Sequence, residues 1–118
     1  MMLHMELTQR LLEQFLAVAD ERNIGRAAQR LSMTQPPLTQ AIQRLERAMG
    51  VKLFDRTARG VELTAAGRSF REDAERLSIA HDAAIRRTRR VAAGDKGVVD
   101  WKLDQFLWRA VIQAYGAP

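Results

Sequence analysis

Residues 26–46, RAAQRLSMTQPPLTQAIQRLE, read as a helix, a break and a second helix, with Pro36 and Pro37 where the second helix should already be running. Proline inside a helix removes a hydrogen bond and clashes with the preceding turn, at a cost of about 3 kcal/mol or more. The first turn tolerates it, because an N–H there has no intrahelical acceptor. The residue ahead of a proline is also pushed away from the helical region. The pair therefore places the start of the second helix one or two residues after Thr34. Leu38, Ala41, Ile42, Leu45 and Met49 then form its buried stripe, and Gly50 stops it.

Upstream, Leu11, Leu12, Phe15, Leu16, Val18 and Ala19 recur at helical spacing and predict a helix from about 8 to 21. Ile24, Ala27, Ala28 and Leu31 mark the short helix before the break, with Asn23 or Gly25 as its cap. Downstream, Val51 and Leu53 alternate, as do Val61 and Leu63. Between them the polar DRTARG predicts a two-stranded hairpin with a loop of about four to six residues. Thr64 then caps a long helix that Gly94 ends. Such a helix outruns the small body before it, so its apolar side needs further cover.

With 118 residues the chain has room for one small domain and an appendage. It has no cysteine, which excludes a disulfide framework and a thiolate metal site. The apolar run near the start lacks a basic flank, is broken by Glu13 and Gln14, and leads into Asp20 and Glu21, unlike a signal peptide. No apolar stretch approaches the roughly 20 residues that cross a bilayer. A soluble, cytoplasmic protein is expected. The net charge of +5 suits a polyanionic partner, and its distribution says more than its size. Between 35 and 60 lie Arg44, Arg47, Lys52, Arg56 and Arg59 against only Glu46 and Asp55. A second basic cluster is RRTRR at 86–90.

Opposite the buried stripe of the helix after the prolines lie Pro36, Thr39, Gln40, Gln43 and Arg47. An ordinary solvated face is one reading. In a helix-turn-helix, however, the N-terminal end of the second helix enters the DNA major groove. Gln and Thr there can read base edges, Gln as a bidentate partner of adenine. Ala27 and Ala28 are small enough for the close helix crossing that the motif needs.

The pattern RAA..L…TQPPLT..I..LE…G..LF.R..RGV.LT.AG, within residues 11–94, resembles the N-terminal DNA-binding domain of LysR-type transcriptional regulators. The resemblance implies a mainly α winged helix-turn-helix, with three helices and a two-stranded β-hairpin wing, followed by a long dimerisation helix. Residues 1–63 would be the DNA-binding domain, 64–95 the linker helix and 96–118 an amphipathic helical tail. By resemblance, Gln35, Pro36, Thr39 and Gln40 occupy groove-contacting positions, with Gln43 on the same face. Thr34 would meet a phosphate, Arg59 the minor groove, and Arg56 and Thr57 the backbone beside the wing. An ion pair with Asp55 or Glu62 is the competing role for Arg56. At position 40 the family commonly has arginine, which favours guanine, and this chain has glutamine, so the family's base preference does not carry over to that position. Family members also continue into a two-lobed effector domain, and this chain does not. The implied partner is double-stranded DNA carrying an inverted repeat, bound by a homodimer or a higher oligomer, with no cofactor, metal or membrane.

Phe70, Ala74, Leu77, His81, Ala84, Thr88 and Val91 follow alternating steps of four and three, the spacing of a coiled-coil seam. Paired antiparallel, Phe70 would face Val91 of a second copy, Leu77 would face Ala84, and His81 would meet its own copy on the two-fold axis. Two imidazolium rings there would repel, so the dimer would weaken on acidification. His81 turned to solvent, or bonded to Asp82 or Glu75, is the alternative.

In the tail, Asp100 is placed to cap a helix whose apolar face comprises Leu103, Phe106, Leu107, Ala110, Val111 and Ala114, ended by Gly116 and Pro118. Catalysis has little footing. His4 and His81 are far apart without a nucleophile, Glu72, Asp73 and Glu75 suit a solvated face, and no phosphate loop or zinc spacing occurs. The other functional class to weigh is an interaction module that sequesters full-length regulators by dimerising with them. The tail's apolar face favours that reading and the intact reading head opposes it.

Overall fold

The computed structural model describes residues 7–94 and 101–116, with the backbone alone for 101–104 and 115. Its elements run α1 (Gln9–Glu21), α2 (Ile24–Arg30), α3 (Gln35–Met49), β1 (Phe54–Thr57), β2 (Gly60–Leu63), α4 (Ala65–Ala92) and α5 (Trp101–Tyr115). The chain divides into two compact units, Met1–Glu72 and Asp73–Pro118.

The first unit is a winged helix-turn-helix, and its corners are set by local chemistry. Thr8 caps α1 by accepting from the Leu11 N–H at 3.1 Å. Asn23 caps α2 by accepting from the Arg26 N–H at 2.9 Å. Each bond satisfies an amide that the helix itself leaves orphaned. α3 begins at Gln35, one residue after an extended Thr34, and both prolines fall in its first turn. That is where their missing N–H groups cost nothing.

Phe15, Val18, Leu38, Leu45 and Leu53 are the largest fully buried side chains, drawn from α1, α3 and the approach to the hairpin. Ala27 and Ala28 are buried on α2, as a close crossing requires. Phe15 stands at the centre. Its ring lies 5.3 Å from that of Phe54 and 4.7 Å, edge-on, from that of Phe70. The start of the hairpin and the first turns of α4 therefore share one aromatic anchor.

The hairpin is tighter than the sequence suggests. Phe54 pairs with Leu63 and Thr57 with Gly60, so only Ala58 and Arg59 form the loop, not four to six residues. The alternation of Val51 and Leu53 is not strand, since β1 starts at Phe54. Past Phe54 every residue of β1 is exposed, so those positions carry no apolar alternation for a sequence reading to detect. Two glycines hold the hairpin close to its neighbours. A Cβ on Gly60 would collide with the Arg22 carbonyl, which accepts the Val61 N–H at 3.0 Å. A Cβ on Gly67, in the first turn of α4, would collide with the Leu53 carbonyl. Thr64 closes the corner by accepting from the Gly67 N–H and donating to the Lys52 carbonyl at 2.7 Å.

In the second unit Ala74, Ala80, Ala83 and Ala110 are buried, while Ile79, Ile85 and Val91 on α4 and Phe106, Trp108 and Val111 on α5 are exposed. Gly116, with φ near 81°, ends α5. The expected cap Asp100 and the terminal Pro118 lie outside the described residues, as does the Leu103 side chain. Among the described residues no helix is long and apolar enough to cross a membrane.

The seven-residue seam expected on α4 needs correction at its N-terminal end. Phe70 packs against Phe15 of its own chain, and Ala74 has no exposed surface. Ala74 is therefore not free to face Thr88 of a second copy, whereas Phe70 is half-buried and keeps some exposed surface. Leu77 is half-buried, and His81, Ala84, Thr88 and Val91 are exposed. The His81 Nδ1 lies 3.4 Å from an Asp82 carboxylate oxygen, the local partner that the sequence allowed as an alternative. Thr88 turns its hydroxyl onto the Ala84 carbonyl at 2.8 Å, a bond within its own helix.

Candidate nucleic-acid interface

The turn between α2 and α3 is closed by backbone bonds from Ser32 N–H to Gln29 and from Met33 N–H to Ala28, with Ser32 at φ 55°. This fixes the direction in which α3 leaves. Thr34 makes no side-chain capping bond, so the helix does not claim its hydroxyl. With Pro36 and Pro37 in the first turn, two of the four unpaired N–H groups usual at a helix end are missing here. The end of α3 is thus a blunt, largely apolar wedge rather than a phosphate cradle. Its prolines suit contact with sugar or a thymine methyl group.

Behind the wedge, Gln40 and Gln43 are exposed and Thr39 is half-buried, one helical step apart along α3. Gln35 is exposed too, but its amide lies over Gly25 of α2, where an added Cβ would meet it at 2.9 Å. Its reach is consequently shorter than that of Gln40. Between α3 and the hairpin runs a cleft of about 350 Å³, lined by Thr39 and Gln43 on one side and Lys52, Asp55 and Arg56 on the other.

At the tip of the hairpin Arg59 is exposed, and its N–H donates to the Thr57 hydroxyl at 3.3 Å, which shapes the two-residue turn. Arg56 makes no ion pair with Asp55 or Glu62 among the described residues. The cause is strand geometry. Asp55 and Glu62 are directly opposed across the hairpin, as are Arg56 and Val61, and successive residues point to opposite faces. Arg44, Arg47, Lys52 and Arg59 are likewise without an ion-pair partner among the described residues. Thr34, Gln35, Pro36, Thr39, Gln40 and Gln43 are therefore gathered on α3, and Arg56, Thr57 and Arg59 on the hairpin. The sequence reading passed over Lys52 as one more charge, and Glu46 as a plain acidic residue. Only tertiary structure shows Lys52 on the cleft wall.

Residues 9–68 match the profile of the bacterial regulatory helix-turn-helix protein, lysR family. The chain belongs to that family. One lysR-family relative, the HTH-type transcriptional regulator TfdT of Cupriavidus pinatubonensis, is 52% identical over 93 residues, which cover 79% of this chain and 40% of TfdT. The chain thus spans less than half the length of that relative. Among solved structures, the CbnR DNA-binding domain in complex with DNA is 44% identical, with a TM-score of 0.70 over 73% of this chain and 99% of that one. The BenM DNA-binding domain, solved on its benA site 1 DNA, is 36% identical, with a TM-score of 0.71 over 75% of this chain and 99% of that one. The winged helix-turn-helix expected from the sequence is therefore the family's fold.

Proposed function

We propose that this chain is the DNA-reading part of a LysR-type transcriptional regulator, acting in the cytoplasm on double-stranded DNA. The observation that carries the reading is the pairing of an exposed, amide-rich α3 face with five cations, Arg44, Arg47, Lys52, Arg56 and Arg59, none of which has an ion-pair partner among the described residues. Charges left without internal partners beside hydrogen-bonding side chains fit a polyanion whose base edges are read. Thr39, Gln40 and Gln43 read the major groove behind the Pro36 wedge, Thr34 meets the flanking backbone, and Arg59 enters the minor groove from the wing. Arg56 and Thr57 hold the phosphates between the two grooves.

Two copies join through α4 and so match an inverted-repeat site. The exposed Ile79, Ile85 and Val91 support association along this helix, and Leu77, His81 and Ala84 are the seam positions left once Ala74 is buried and Phe70 meets Phe15 within the chain. The deciding experiment is a titration of the protein against duplexes enriched from a randomised pool, repeated at several salt concentrations. Each phosphate neutralised should add about −0.9 to the slope of log affinity against log salt. A slope near zero, or equal affinity for every duplex, would contradict the proposal.

A further inference from the structure

The hairpin root is tied to its surroundings at several points, but among the described residues one side chain alone ties it to the reading helix by hydrogen bonds. The carboxylate of Glu46, on the last turn of α3, accepts from the Leu53 N–H at 2.7 Å and from the Phe54 N–H at 3.3 Å. Its backbone carbonyl accepts from the Gly50 N–H at 2.8 Å and the Val51 N–H at 3.3 Å. One residue thereby gathers four amides of the segment that leads from α3 into β1. The remaining ties run elsewhere, from Val61 to Arg22 and from Thr64 to Lys52 and Leu53. Among the described residues no other α3 side chain hydrogen-bonds to this segment.

We propose that Glu46 is the positioning residue that sets the wing against the recognition helix, so that Arg59 and Gln40 engage one DNA site together. This rests on the proposed function. Leu53 is buried, and without the carboxylate its N–H loses its acceptor where water cannot easily replace it. Phe54, the first residue of β1, would be released with it. The wing tip lies at the far end of a four-residue ladder from this anchor, so a small rotation at the root becomes a larger displacement of Arg59. Gln40, inside α3, would not move.

Two measurements test this. In the free protein, amide hydrogen exchange at Leu53 and Phe54 should quicken about tenfold or more in Glu46→Ala, as expected for a lost charge-assisted bond. Glu46→Gln, which keeps an oxygen acceptor, should stay near wild type, and the amides of α1 and α2 should be unchanged in both variants. Equal acceleration of all amides would mean a general structural role and overturn the proposal, as would no change at Leu53. On a duplex enriched by the wild-type chain, the affinity losses of Glu46→Ala and Arg59→Ala should be strongly non-additive, whereas those of Glu46→Ala and Gln40→Ala should multiply. Tighter binding by both Glu46→Ala and Glu46→Gln would show that Glu46 acts only as a negative charge near DNA, and would also overturn it. If the wild-type chain enriches no duplex, the proposed function fails, and the exchange measurement still decides whether Glu46 anchors the wing.

Discussion

Nine basic side chains of the first unit fall into two groups by the company they keep; Arg10, beside the Met33 sulfur, and Arg22 stand outside both. On α2 and the start of α4, Arg26 donates to the Glu21 carbonyl, Arg30 pairs with Asp20 and Glu21, Arg68 donates to the Leu63 carbonyl, and Arg71 pairs with Asp20. The hydrogen bond that Arg30 donates to Asp20, with a smaller contribution from the one to Glu21, raises the pKa of Arg30 above its ordinary value. On α3 and the hairpin, Arg44, Arg47, Lys52, Arg56 and Arg59 have no such company among the described residues. The first group is engaged by carboxylates or carbonyls of its own chain, and among the described residues the second is not. Composition could not reveal this, because a net charge counts both groups alike.

The largest effect should come from breaking the tightest contact beside the first group. Gly67→Ala drives a methyl group into the Leu53 carbonyl and should destabilise the fold by about 3 kcal/mol or more, read as a fall in thermal midpoint. Next comes the reading side. Gln40→Ala should lower discrimination at one base pair per half-site by about 1–3 kcal/mol while leaving the thermal midpoint unchanged. Equal loss on every duplex would demote Gln40 to a backbone contact. Arg56→Ala and Arg59→Ala should each lower the salt slope by roughly 0.9, again without loss of stability. The smallest effect tests the comparison most directly. Asp20→Asn removes one carboxylate partner from Arg71 and one from Arg30, which keeps Glu21, and should cost no more than about 1 kcal/mol per pair with DNA affinity unaltered. A clear rise in affinity on loosening those arginines would erase the distinction between the two groups.

Much of this architecture was legible in the residues. The prolines, the Asn23 and Thr64 caps and the apolar stripes act locally, so α1 to α4 could be placed from the sequence, while the Thr8 cap of α1 went unread. The hairpin's extent was not legible, because a strand standing clear of the core buries almost nothing and has no alternation to read. The α4 seam was misjudged at one end for a different reason. Heptad-like spacing reports that a face is apolar, not whose side chains will cover it, and Ala74 is buried within its own chain while Phe70 already meets the ring of Phe15. Glu46 escaped notice because its partners are backbone amides that reach it only once the chain has turned at Gly50.

The two prolines carry a practical consequence for watching this surface at work. Lacking amide protons, Pro36 and Pro37 leave half of the leading turn of α3 silent in a backbone amide spectrum. The same surface presents the carboxamide groups of Gln35, Gln40 and Gln43, each with a pair of NH₂ resonances. Those side-chain signals, rather than the main-chain ones, should move first when a duplex is added. Gln35, resting over Gly25, should shift differently from its two neighbours.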